Sequence, residues 1–218
     1  VSLAVLLILS YLLGAFPSSI VYGKVLRGID IRKQGSGNAG GTNAWRVLGW
    51  KIGLPVMLTD VAKGALASAV IARIPLGPLP LEFSTVALLC GLAAVFGHVF
   101  PIYVGFRGGK GVGTAAGMLA VNAPVPVACA LGVFALLLFL FGKVSLGSIL
   151  AAICLPVSVF LIDRFTAVNY PALLLALTVG LALFILTTHR SNIRRLIKGE
   201  EKAFPKLQLW KRILRSRR

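Results

Sequence analysis

Apolar residues in this chain come in long runs divided by short polar gaps, and the runs predict the elements. The first spans about Ser2 to Tyr22, with Gly14 and Pro17 inside it; a polar stretch follows to Lys51. The second spans about Ile52 to Ile74, and a Pro/Gly loop, PLGPLPLE, leads to the third, about Phe83 to Val104. GFRGGKG at Gly105 to Gly111 opens the next stretch, 112–141, which NAPVP at Asn122 to Pro126 interrupts. The sixth run is about Val144 to Ile162, the seventh about Tyr170 to Thr188, and a basic tail begins at His189. Runs of about 20 apolar residues match the hydrocarbon thickness of a bilayer. Inside it, the backbone satisfies its own polar groups as helix. The first run lacks a basic leading region and a convincing cleavage site, so it reads as a membrane helix rather than a signal peptide.

The stretch 112–141 needs a decision. As one helix it would be about 45 Å long, more than a crossing needs, and prolines near its middle argue for a break. Charge arbitrates. The gap 23–51 carries Lys24, Arg27, Arg32, Lys33, Arg46 and Lys51; 105–111 carries Arg107 and Lys110; 74–82 carries no base. Eleven of the 23 basic residues follow His189. Basic loops stay in the cytoplasm, and only a split of 112–141 places all of them, with Lys143, on that side. The expectation is an all-α polytopic membrane bundle of about seven crossings, the fourth short or broken, N-terminus outside and C-terminus cytoplasmic. Residues 1–200 form the membrane domain and 201–218 a basic cytoplasmic tail.

Composition sharpens this. Apolar residues make up 57% and charged residues 13% of 218, with mean hydropathy +0.90. A soluble core of this size cannot hide so much apolar side chain. The net charge of +17 sits at helix ends and in the tail, a pattern suited to an anionic leaflet rather than to nucleic acid. Cys90, Cys129 and Cys154 each lie inside an apolar run and read as small buried hydrophobes. Six acidic residues and two histidines, none at ligand spacing, predict neither a metal nor another cofactor.

The polar motifs gather on the inner side. In Ile31 to Arg46, Gly35, Gly37 and Gly40 have dinucleotide-loop spacing, but an apolar crossing precedes them where that fold needs a strand. The physical content is nearer to an anion loop: glycine backbone N–H groups beside Ser36, Asn38, Thr42 and Asn43, with Arg46 and Lys51 for charge. Around Lys110 the phosphate-loop pattern fails, since Val104 holds the first glycine position and Gly111 follows the lysine. Gly105, Gly109, Gly113 and Gly117 recur every four residues, a close-packing stripe if helical. His98 is an ionisable residue inside a crossing: a hydrogen-bonded neutral histidine or a functional one. Asp60 and Lys63 share a helix face as a charge pair. Ser145 and Ser148 share the face that opens the sixth run, and His189, Arg190 and Asn192 close the seventh.

GSGNAGGTN at Gly35 to Asn43, the run from His98 through Pro101 to Phe106-Arg107-Gly108-Gly109-Lys110-Gly111, and HRSNI at His189 to Ile193 together resemble the three signatures of the bacterial acyl-phosphate:glycerol-3-phosphate acyltransferases. LTDVAKG and KVSLGS resemble further segments of that family. The resemblance covers nearly the whole crossing region. It implies that an acyl phosphate acylates the 1-hydroxyl of sn-glycerol 3-phosphate at the cytoplasmic face of the bacterial inner membrane. Lysophosphatidic acid and phosphate result, in phospholipid synthesis. It implies catalytic roles for Ser36, Asn38, His98 and Lys110. Substrate contacts would come from Gly35, Gly37, Gly40, Thr42, Asn43, Arg46, Lys63, Gly108, Gly109, Gly111, Ser145, Ser148, His189, Arg190 and Asn192, with Asp60 in a charge-pairing role. The Gly35–Asn43 loop would hold the acyl phosphate, and Arg46, Lys110, His189 and Asn192 the glycerol 3-phosphate. No nucleophile–base pair is evident, so direct attack without an acyl-enzyme is expected, with His98 as general base the mechanistic alternative. Membrane lipids are the expected partners, and the chain is expected to act as a monomer. Two departures stand out: Arg107 where lysine is common, and Gly41 in the first loop. The rival reading is a transporter of phosphorylated solutes, which predicts an internal repeat that the sequence does not show.

Overall fold

Each apolar run becomes helix, and the breaks at Pro17 and before Pro124 fall where proline removes a backbone donor. A computed structural model describes residues 2–79 and 81–204; the tail beyond 204 lies outside the described residues. The chain divides into two compact units, 1–124 and 125–218.

The first unit holds α1 (Ser2–Ala15), α2 (Ser18–Arg27), α3 (Gly41–Leu48), α4 (Trp50–Ala69), α5 (Phe83–Val99) and α6 (Val112–Asn122). α1 and α2 are one run broken at Pro17, which has no N–H to continue the ladder. α4 packs against α1, α3, α5 and α6, and α5 against α1 and α6. Small residues set those distances. A Cβ on Gly14 would strike the backbone of Ala94, and one on Gly97 the carbonyl of Tyr11. Likewise Gly64 faces the Thr114 carbonyl and Gly117 the Val61 carbonyl. These reciprocal contacts hold α1 to α5 and α4 to α6, the packing that helices use where lipid supplies no hydrophobic drive between them. The four-residue glycine stripe is therefore real only in part. Gly113 and Gly117 lie on α6, while Gly105 and Gly109 lie in the preceding loop.

The second unit holds α7 (Pro124–Phe141), α8 (Val144–Phe165), α9 (Ala172–Thr188) and α10 (Arg190–Ile197). α8 packs on α9, and α10 touches both. After α10 the chain turns back, and the Phe204 N–H donates to the Gly142 carbonyl at 2.8 Å.

The interior is largely apolar, but so is much of the surface, and several polar groups are buried. Ile8 is 58% and Leu183 60% exposed, whereas Ser18, Asp60, Lys63 and His98 are buried. Among the described residues, five helices or helix runs are long and apolar enough to cross a membrane. A sixth joins them if α9 and α10, bent by 64°, count as one. The predicted break in 112–141 is present: α6 ends at Asn122 and α7 begins at Pro124. With 11 residues, α6 is about 16 Å long, roughly half a crossing. One expectation about side chains fails. Cys90 is buried, but Cys154 is half-buried and Cys129 exposed, the latter on α7, where only Pro126, Val127 and Ala130 are buried.

Candidate active site

The first polar centre grows from the break at Pro17. Release from a regular helix leaves the Phe16 carbonyl able to accept from the Lys63 ammonium at 3.0 Å. Ser18, the first residue of α2, donates to Asp60 Oδ1 at 2.6 Å. On α4 the i,i+3 pair is formed, Lys63 Nζ to Asp60 Oδ1 at 2.9 Å. From the end of α5, His98 Nδ1 stands 3.1 Å from Lys63 Nζ and 3.5 Å from Asp60 Oδ1. Asp60, Lys63 and His98 are 4%, 3% and 7% exposed, a depth at which an unpaired charge would be costly.

The loop after α5 folds back over this centre. Gly108 N–H donates to the Val99 carbonyl and Gly109 N–H to the His98 carbonyl, both at 3.1 Å. A Cβ at Gly108 would strike the His98 carbonyl, and one at Gly109 would strike His98 Nε2. Close backbone approach, rather than turn geometry, is what requires glycine at both positions. The first glycine loop arrives beside the second: a Cβ on Gly40 would lie 4.0 Å from the Gly109 Cα. Phe16, Ala39, Lys63, His98, Gly108 and Gly109 wall a common hollow, with Ser18 and Pro101.

The first loop has its own scaffold. Asn43 accepts from the Ser36 N–H at 2.8 Å and donates to the carbonyls of Gln34 and Ile31 at 3.0 and 3.2 Å. Its buried amide thus holds the loop in shape. Gly35, Ser36 and Gly37 are exposed, and Asn38, Thr42 and Arg46 half-buried. Asp30 caps the preceding turn through the Arg32 N–H, and Arg32 reaches the Val104 carbonyl at 2.9 Å. The hydrogen-bonded Arg32 guanidinium lowers the Asp30 carboxyl to about 2. Lys110 is half-buried, and Gly111, with φ +84°, turns the chain into α6.

The second centre lies wholly in the second unit. Ser145 Oγ, at the start of α8, donates to Glu201 Oε1 at 2.6 Å. Asn192 Nδ2, on α10, donates to the same oxygen at 2.6 Å, and Arg195 Nε to Oε2 at 2.7 Å. Burial raises the Glu201 carboxyl, but hydrogen bonds from Ser145, Asn192 and Arg195 outweigh it and hold the group below its ordinary value. Ser148 is buried one turn beyond Ser145; His189 is buried with Nδ1 2.9 Å from the Ile185 carbonyl; Arg190 is exposed.

The structure therefore brings Lys63, Asp60, His98, Gly108, Gly109 and Gly40 together in one unit, and Ser145 and Asn192 in the other. Sequence reasoning missed Ser18, the Phe16 carbonyl and Glu201, and it took Arg195 for a contact with lipid headgroups or substrate phosphate, whereas its guanidinium pairs with Glu201. Only Glu201 left a trace: it is one of six acids, set two residues beyond Gly199 where an amphipathic helix has ended.

Comparison with known proteins bears on what these centres do. The family model described as glycerol-3-phosphate acyltransferase matches residues 4–199. A glycerol-3-phosphate acyltransferase of Chlorobium phaeobacteroides (strain BS1) is 47% identical, over 92% of this chain and 95% of its own length. That of Chlorobaculum tepidum is 44% identical, over 90% and 94%. Crystal structures of PlsY, an integral membrane glycerol 3-phosphate acyltransferase, superpose with TM-scores of 0.80 for its glycerol 3-phosphate form and 0.79 for its lysophosphatidic acid form. Both are 33% identical and cover 96% of this chain and 99% of the other.

Proposed function

The chain belongs to the glycerol-3-phosphate acyltransferase family, and from that premise we propose that it moves an acyl group from acyl phosphate to the 1-hydroxyl of sn-glycerol 3-phosphate. The hydroxyl oxygen attacks the acyl carbonyl carbon, the bond to the phosphate oxygen breaks, and lysophosphatidic acid and inorganic phosphate leave. A phosphate oxygen of a substrate takes the hydroxyl proton. Phosphate is a good leaving group, so positioning supplies much of the rate.

The observation that carries this reading is the meeting of two glycine loops, through Gly40 and Gly109, over a buried centre that contains Lys63 and His98. Backbone N–H groups of the exposed Gly35–Gly37 segment, with Ser36 and Asn38, meet the charge that builds on the departing phosphate. Thr42, Arg46, Lys110 and Gly111 border the same loops and contact substrate phosphate. In the second unit, Ser145 or Ser148, His189, Arg190 and Asn192 are phosphate donors. Asp60 keeps Lys63 paired. The chain acts as a monomer in the bacterial inner membrane with seven crossings, α6 the short one. Its N-terminus is outside, and both loops and the basic tail are cytoplasmic.

The decisive assay supplies acyl phosphate and glycerol 3-phosphate to purified protein in detergent and measures lysophosphatidic acid and phosphate. Equal release of both is expected. Phosphate without lysophosphatidic acid, or neither beside an active relative, would overturn the reading.

A further inference from the structure

We infer that His98 acts as a hydrogen-bond donor fixed in its Nε2–H tautomer, with Lys63 as the positioning residue that fixes it. A lysine ammonium has three hydrogens to give and no lone pair. Lys63 has three acceptors around it: Asp60 Oδ1 at 2.9 Å, the Phe16 carbonyl at 3.0 Å and His98 Nδ1 at 3.1 Å. The third bond forms only if Nδ1 offers its lone pair. A proton on Nδ1 would instead face the ammonium head-on. Its other candidate acceptor, Asp60 Oδ1, is 3.5 Å away and already takes two shorter bonds, from Ser18 and Lys63. A neutral imidazole with a bare Nδ1 carries its proton on Nε2.

Nε2 stands beside Gly109, where any Cβ would strike it, and His98 lines the hollow with Lys63 and Gly108, so the absent side chain leaves room next to Nε2. A protonated nitrogen cannot take the proton of an attacking hydroxyl. It donates to an oxygen, the acyl carbonyl or a phosphate oxygen. This removes the general-base role for His98, and the acyltransferase reading enters only in naming the oxygen that receives the bond. The chain supplies its own reference. Its other histidine, His189, has Nδ1 2.9 Å from the Ile185 carbonyl. A carbonyl only accepts, so His189 carries a proton on Nδ1, the nitrogen that is bare in His98.

The test uses the full chain with nitrogen-15-labelled histidine in detergent micelles, its two rings assigned through His189→Gln. The expected spectrum shows His98 with Nδ1 bare and Nε2 protonated; a proton on His98 Nδ1 overturns the inference. Lys63→Met is expected to release His98 into a mixture of tautomers. An unchanged His98 ring in folded Lys63→Met overturns the positioning role. The activity arm needs no lysine variant. His98→Gln places an amide N–H near the Nε2 position and is expected to stay within about tenfold of wild type in kcat/KM, whereas His98→Ala falls by about 100-fold, the usual loss for one aimed donor. A glutamine variant as poor as alanine overturns the donor role. Failure of wild type to form lysophosphatidic acid sinks the acyltransferase reading, while the spectrum still decides the tautomer.

Discussion

The two units solve the same problem, burying polar groups in an apolar molecule, by different means. In the first, opposite charges sit three residues apart on α4, and neighbouring helices supply only neutral partners, Ser18, the Phe16 carbonyl and His98. In the second, a carboxylate from beyond the last helix pairs with Arg195 of α10, and neutral donors from α8 and α10, Ser145 and Asn192, complete its hydrogen bonds. The first centre is part of the helix packing; the second depends on a few residues of returning chain. Losing a partner should therefore cost more in the first.

The largest effect is expected for Asp60→Ala, which strands the Lys63 ammonium at 3% exposure. Breaking a buried pair this way costs about 3–5 kcal/mol, so thermal unfolding in detergent should shift far down. An unshifted transition would mean that the pair is not what holds α4 in place. Next comes Gly117→Val on α6. Its side chain meets the Val61 backbone, and the overpacking should cost about 1–3 kcal/mol, again read from the melting transition. Gly132→Val on α7, where nothing lies within 4 Å, should leave that transition nearly unchanged. Glu201→Gln should cost about 1–3 kcal/mol, because the amide keeps one accepting oxygen and turns its NH2 group toward a donor that the carboxylate had satisfied.

The smallest effect sharpens the contrast through pH. The Glu201 carboxyl is held below its ordinary value of 4.5, so its contribution is complete above that value and fades as pH falls through the lower, folded one. The melting difference between wild type and Glu201→Gln should be steady near neutrality and shrink in acid. Asp30, held at about 2, should keep its contribution to more acidic pH, as an Asp30→Asn variant would report. A Glu201 difference constant into strong acid would show that the carboxylate charge contributes nothing.

What could be read beforehand followed from local rules. The apolar runs, the break at NAPVP and the Asp60–Lys63 pair each depend on residues near one another in sequence. Membrane helices make such reading effective, because composition alone distinguishes span from gap. What escaped depended on chain distant in sequence. Nothing about Ser18 marks it as a partner of Asp60, 42 residues away. Glu201 falls with the tail in sequence, since its contacts with Ser145, 56 residues back, and with Asn192 and Arg195 leave no mark in the local pattern. Asn43 was visible as a polar residue in an anion loop, but its buried amide is taken up by that loop's own backbone. Sequence spacing could not show which way it turns.

The placement of Asp60 and Lys63 on one helix also bears on how the protein enters its membrane. A lone lysine at this depth would oppose insertion of α4. With its counter-ion one turn away, α4 can pass into the bilayer already neutralised, before any other helix is at hand. The Phe16 carbonyl, Ser18 and His98 are then needed only when inserted helices come together. Moving the aspartate to another helix would keep the charge balance of the finished protein and take away its independence during insertion.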